Sequence, residues 1–96
     1  IKIADIYPPV LPLAFTPNGD GQNDLLYVRG GPFKSLVLQI YNQWGQLIYE
    51  TDDVNAPWDG TRNGVDQPIG VYVYVLKATS LKDIQFEKWG DVSLLR

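Results

Sequence analysis

Histidine, cysteine and methionine are all missing from this 96-residue sequence, and each absence narrows what the chain can be. Histidine is the side chain whose unperturbed pKa lies nearest neutrality. Without it, and without Cys, the Ser-His and Cys-His nucleophile systems are excluded, and zinc sites built on those ligands are not expected. No disulfide can staple the fold, so outside the cell the domain must rely on packing or on a bound ion. With no Met anywhere, the chain is expected to be a piece of a longer protein. Helix signals are also scarce, so no glycine loop leads into a helix that could cradle phosphate. No apolar run approaches the roughly 18 residues of a spanning helix, and no signal-peptide pattern opens the chain.

Charge of either sign is modest. Eleven acidic and eight basic residues give a net charge of −3. The basic residues are scattered, whereas a duplex-binding surface needs Lys and Arg clustered to displace counterions. Nucleic acid is not an expected partner. Paired carboxylates, Asp20 with Asp24 or Asp59 with Asp66, are the one enzymatic option left. A chain this small leaves little room for a two-walled substrate cleft, and the expectation is that it is not an enzyme. The hydrophobic fraction of 45% with 20% charged residues is that of one folded, soluble domain.

What the sequence does have is β structure. Seven Pro and nine Gly punctuate it about every ten residues, the spacing of a sandwich or barrel. Between them lie runs rich in Val, Ile, Leu and Tyr with period-two alternation. Strands are predicted over residues 1–6, 11–15, 25–29, 35–41, 46–51, 70–79 and 84–96. Pro8 and Pro9 lack a ladder N–H and favour an edge or connector. In 35–41, Leu36, Leu38 and Ile40 share one face. Asn42-Gln43-Trp44-Gly45 supplies a turn, with Gly45 where a left-handed residue is needed, and forms a hairpin with 46–51. Residues 70–79 are apolar on both faces and are predicted to be central. Gly90 interrupts the last strand, where a bulge or bend is expected. About seven short antiparallel strands fit an immunoglobulin-like β-sandwich, with a barrel as the alternative. Within Gly70-Val71-Tyr72-Val73-Tyr74, Tyr72 matches the corner tyrosine of immunoglobulin domains, and Tyr74 would fill the Cys position with apolar bulk.

Two loops carry the candidate chemistry. Asn18, Asp20, Gln22 and Asp24 place oxygen-bearing side chains at every second position, with glycines between. Calcium asks for about six to eight oxygens from a loop able to curl around it. The competing reading is a turn whose Asn and Asp side chains bond local N–H groups. A calcium ion here would brace the loop, and no cofactor is required. Trp58-Asp59-Gly60-Thr61 reads as a self-contained turn. Its Trp is expected to be buried, its Asp to accept backbone or Thr61 hydrogen bonds, and its Gly60 to take the unusual dihedral. Trp44, Trp58 and Trp89 invite a sugar-stacking reading. Packing is the preferred one, with Trp58 plugging one end of the core and Trp44 capping the hairpin.

Taken together, these segments resemble a known family. Residues 15–24, FTPNGDGQND, are similar to its opening signature, and residues 40–50, IYNQWGQLIYE, to its central hairpin. Trp58-Asp59-Gly60-Thr61, Asn63-Gly64 and Pro68-Ile69-Gly70-Val71-Tyr72-Val73-Tyr74 follow in order, and Gly90-Asp91-Val92-Ser93-Leu94-Leu95-Arg96 resembles its terminal strand. The pattern is that of the gliding-motility-associated C-terminal domain, the type B sorting domain of the type IX secretion system. It covers residues 10–96, leaving 1–9 as a linker or short N-terminal strand. Lys88-Trp89-Gly90 departs from it, which leaves Trp89 without an inherited role.

The resemblance implies a C-terminal sorting signal on a longer secreted or surface protein, an adhesin of a Gram-negative gliding bacterium. The parent would cross the periplasm and outer membrane, and outer-membrane components of the secretion system would read the folded domain, which is expected to be monomeric by itself. The surface offered to them is expected to be the final strand, Asp91, Val92, Ser93, Leu94, Leu95 and Arg96, with Arg96 giving a charged contact. A carbohydrate-binding module and a calcium-braced immunoglobulin-like spacer of an adhesin are the alternatives.

Overall fold

The computed structural model describes residues 7–19, 21 and 24–96. The strand predicted over 1–6, and Asp20 and Gln22 of the acidic loop, lie outside the described residues. Among those described there is no helix, and nine strands follow in order: β1 Tyr7–Val10, β2 Ala14–Phe15, β3 Arg29–Gly31, β4 Phe33–Tyr41, β5 Leu47–Thr51, β6 Thr61–Arg62, β7 Val65–Asp66, β8 Gly70–Ser80 and β9 Gln85–Leu94.

The main sheet has five strands in the order β2-β9-β8-β4-β5, so β8 is central, as its two apolar faces predict. The alternation sorts its side chains into an inner and an outer face. Leu36, Leu38 and Ile40 of β4, Tyr72, Tyr74, Leu76 and Ala78 of β8, and Val92 and Leu94 of β9 are buried in one cluster. That cluster is completed by Phe15 of β2, Ile48 of β5, and Leu11, Leu26 and Trp58 from the connecting segments, which together with the separate β1–β3 pair cover the inner face of the main sheet. The β-sandwich predicted from the pattern is therefore present.

The details differ from the prediction in four places. Three of the nine strands are only two residues long, which raises the count above seven. The main sheet is mixed, because β2 runs parallel to β9, with Ala14 opposite Ser93 and Phe15 opposite Leu94. A parallel neighbour needs a long intervening connection, and almost the whole domain supplies it. Residues 25–29 do not form a strand of their own. Leu26 makes an isolated bridge to Trp58, its N–H donating to the Trp58 carbonyl at 2.8 Å and its carbonyl accepting from Trp58 N–H at 3.2 Å. Finally, there is no bulge at Gly90: the β8–β9 register runs unbroken from Gly70↔Leu94 to Thr79↔Gln85.

Pro8 and Pro9 sit in β1, between its two paired positions Tyr7↔Gly31 and Val10↔Arg29, where the register shifts. Both strands of a two-stranded sheet are edges, so the missing N–H groups cost no ladder bond. Asn63-Gly64 turns the β6–β7 hairpin with φ values of 54° and 81°, the left-handed pair that a two-residue hairpin loop selects.

Candidate functional site

The Trp58-Asp59-Gly60-Thr61 turn closes as its residue types dictate. Trp58 is fully buried, and its indole N–H donates to the Thr61 carbonyl at 2.9 Å. Asp59 Oδ1 accepts from Thr61 N–H at 3.0 Å and from Thr61 Oγ1 at 2.7 Å. Gly60 has φ of +84°, and a Cβ there would meet Pro17 Cγ at 2.9 Å and Leu94 Cδ1 at 3.3 Å. Both conformation and space therefore require glycine. The indole lies between Phe15, at 5.3 Å between ring centroids, and Tyr72, at 5.1 Å and edge-on, a favourable aromatic geometry. Motifs widely separated in the chain thus meet at one end of the sandwich: Phe15 and Pro17, the Trp58 turn, Tyr72 and Leu94.

Tyr72 is the corner residue its position predicts. Its hydroxyl donates to the Pro68 carbonyl at 2.7 Å, four residues upstream, as in a tyrosine corner. Tyr74 is buried beside it in the core. Burial pushes the phenols of both upward in pKa. The Arg96 guanidinium opposes the shift at Tyr72, and the Asp91 carboxylate adds to it at Tyr74.

In the acidic loop the described residues gather around Asp24. Its Oδ1 accepts from the N–H groups of Asn18 and Gly19 at 3.2 and 3.0 Å, and its Oδ2 from Gly21 N–H at 2.8 Å. Both carboxylate oxygens are thus engaged by backbone donors, the arrangement of a side-chain-braced turn. Of the other carboxylates considered for chemistry, Asp59 serves its turn and Asp66 lies 3.7 Å from Arg96 Nη2.

The terminal strand divides by face. Val92 and Leu94 are fully buried and their side chains serve the core. Asp91 and Leu95 point outward, with Ser93 half-buried. Arg96 Nη1 donates to the Gln67 carbonyl at 3.0 Å, tying this end of the chain to the segment before the tyrosine corner. Ser93 N–H donates to the Leu13 carbonyl and Leu95 N–H to the Phe15 carbonyl, at 2.9 and 3.0 Å. Their backbone groups therefore point away from β8. The alternation within a strand carries the same direction to Asp91, Trp89 and Glu87. β2 ends at Phe15, and among the described residues no strand pairs with that side of β9 from Gln85 to Val92. Among the described residues this side of β9 is therefore an unpaired edge, and its outer face carries Glu87, Trp89 and Asp91. Sequence reasoning pointed to residues 91–96 and missed this upper half. Nothing in the pattern discloses how short β2 is.

Two tryptophans stand in solvent: Trp44, 75% exposed at the tip of the β4–β5 hairpin, and Trp89, 68% exposed on the outer face. The same face also carries the half-open apolar side chains of Val37, Val71 and Val73. Among the described residues no helix is long and apolar enough to cross a membrane.

Fold and surface together define a small β-sandwich module whose ordered sequence motifs are spent on holding its shape. The chain belongs to the type IX secretion signal domain family, whose model, CHU_C, matches residues 10–92. It is a sorting-signal domain, of the kind carried by proteins secreted or exported to the cell surface across the outer membrane. None of the curated proteins matches the sequence. Among solved structures, the chain is similar to CopC from Methylosinus trichosporium OB3b, with a TM-score of 0.60 and 16% identity over 91% of this chain and 93% of that one. At that identity the likeness is one of fold.

Proposed function

We propose that this domain sorts an adhesin-like surface protein of a gliding Gram-negative bacterium, and that an outer-membrane component of the type IX machinery reads it in the folded state. Recognition, without catalysis, is its whole activity. The observation that supports this reading is the side of β9 that has no partner strand among the described residues. A receptor that adds an extended segment there would gain backbone hydrogen bonds from Glu87, Trp89 and Asp91, while their side chains and Leu95 give specificity. The motifs shared with gliding-motility domains support the adhesin context.

The test is a fluorescent reporter placed between a periplasmic signal peptide and this chain, expressed in a bacterium with a working type IX system. The reporter should reach the surface or the medium. Retention in the periplasm would refute the sorting role. Trp89→Pro deletes an outward N–H without touching the bonds to β8, and it should trap the reporter while leaving the melting temperature of the purified domain nearly unchanged. Normal export of that variant would refute the edge and leave the sorting role standing.

A further inference from the structure

The geometry points to a second binding site, independent of the sorting reading: a cleft between the β4–β5 hairpin tip and the segment leading into β8, built to hold one ring of a neutral saccharide. The cavity measures about 230 Å³, and Gln43, Trp44, Gln46, Gln67, Ile69 and Val71 shape it. That is below the roughly 300–1,000 Å³ of pockets for larger ligands and suits a single sugar ring.

Its chemistry is selective. No charged side chain lines it. A charged ligand would lose hydration there with no opposite charge to replace it. The indole of Trp44 offers a flat apolar surface that complements the C–H face of a pyranose. Around it stand amides with unused capacity among the described residues. Gln46 accepts from Asn42 Nδ2 through Oε1 at 2.7 Å, which leaves its two Nε2 protons for a ligand. Gln67 donates to the Val65 carbonyl at 3.2 Å, which leaves its Oε1 as an acceptor. Hydroxyl groups both donate and accept, so a rim of amides matches a rim of hydroxyls.

Both walls are also fixed before any ligand arrives, which lowers the entropic cost of binding. Asn42 Oδ1 accepts from the N–H groups of Trp44 and Gln46 at 3.0 and 2.9 Å, and the hairpin tip closes through Gly45 N–H to the Asn42 carbonyl at 3.1 Å. Opposite, the Tyr72 hydroxyl holds the Pro68 carbonyl, and Gln67 is bonded through its N–H to the Gly60 carbonyl and through its carbonyl to Arg96. A rigid tip that presents an exposed Trp to a neutral polar wall is poorly explained by packing alone.

The test uses the purified chain on an array of neutral oligosaccharides (glucans, xylans, mannans and chitin fragments), with heparin and a proline-rich peptide as competitors for the reading. Binding should appear for at least one neutral glycan and perturb the NMR signals of the Trp44 indole and the Gln46 and Gln67 amides. Trp44→Ala should weaken it roughly tenfold or more, with an unchanged melting temperature. Trp89→Ala, which removes the other exposed indole, should leave it intact. A blank array, binding that survives Trp44→Ala, or preference for heparin or the peptide would each overturn the assignment.

Discussion

The ring of Tyr74 lies against the backbone of Gly90, its partner across β8 and β9: a Cβ built on Gly90 would fall 3.0 Å from the Tyr74 hydroxyl oxygen and 3.2 Å from Cε2 and Cζ. Glycine in the middle of a strand weakens it by removing a side chain to pack. Here the tyrosine ring fills that space. The glycine lets the ring pack tightly against the strand, which stays in register through it.

Gly90→Ala should therefore destabilise the domain by about 1–3 kcal/mol through overpacking, measured by urea unfolding. Pairing it with Tyr74→Phe removes the nearest clashing atom but not the ring, so the double variant should recover only part of the loss. Additive costs in that cycle would show that the ring and the glycine are not coupled.

Much of the architecture was legible in the sequence because it is dictated locally. Period-two alternation gave β4, β5, β8 and β9 and the central place of β8. The Trp58 turn and the Tyr72 corner followed from residue types whose hydrogen bonds close within four positions. What was not legible depends on distant pairing. That β2 would lie parallel to β9 for only two residues, that residues 25–29 would bond singly to Trp58, and that Tyr74 would occupy the space beside Gly90 are all set by which strands become neighbours. The edge of β9 left unpaired among the described residues and the Trp44 cleft share this origin, since each is formed by segments at least twenty residues apart or by the end of a distant strand.

Alkaline unfolding should report the two inner tyrosines. Burial raises both phenols above the ordinary tyrosine value of about 10, so the native state holds their protons more tightly than the unfolded chain. Stability from this source is complete below pH 10 and falls as the pH rises through the raised folded values. The urea midpoint should be level through neutral pH and decline above about pH 10. Combining Tyr72→Phe with Tyr74→Phe should flatten that decline.

The turn at Trp58 separates packing from hydrogen bonding. Trp58→Phe keeps an aromatic ring between Phe15 and Tyr72 but leaves a cavity and removes the donor to Thr61, and should cost about 2 kcal/mol or more. Asp59→Ala should cost about 1 kcal/mol. Asp59→Asn retains an acceptor for both Thr61 donors and should be nearly silent. Equal losses in the two Asp59 variants would mean that the charge, and not the acceptor, holds the turn.

The acidic loop gives a test of its two readings. The Asp24 carboxylate already receives three backbone N–H groups, whose positive ends surround it and disfavour a cation at the same oxygens. The melting temperature should accordingly be the same with millimolar calcium and with a chelator, while Asp24→Ala should lower it by removing the brace. A calcium-dependent rise abolished by that substitution would establish the ion-braced loop instead.

The terminal strand cannot be tested by deletion, and the reason lies in its two faces. Cutting away residues 90–96 would take Val92 and Leu94 from the core and Arg96 from Gln67, so failure of export would follow from unfolding alone. Losing two fully buried aliphatic side chains costs several kcal/mol, a large part of the stability of a small domain. Outward residues avoid this confusion. Asp91→Lys combined with Leu95→Lys alters charge and apolar surface on the presented side while β9 keeps every bond to β8. If this surface is what the machinery reads, the reporter fused to the double variant should accumulate in the periplasm as a folded, protease-resistant domain with a melting temperature within a few degrees of the parent. Undiminished export by that variant would move the recognition surface elsewhere on the sandwich, and the half-open outer face around Val37, Val71 and Val73 would be the next to alter.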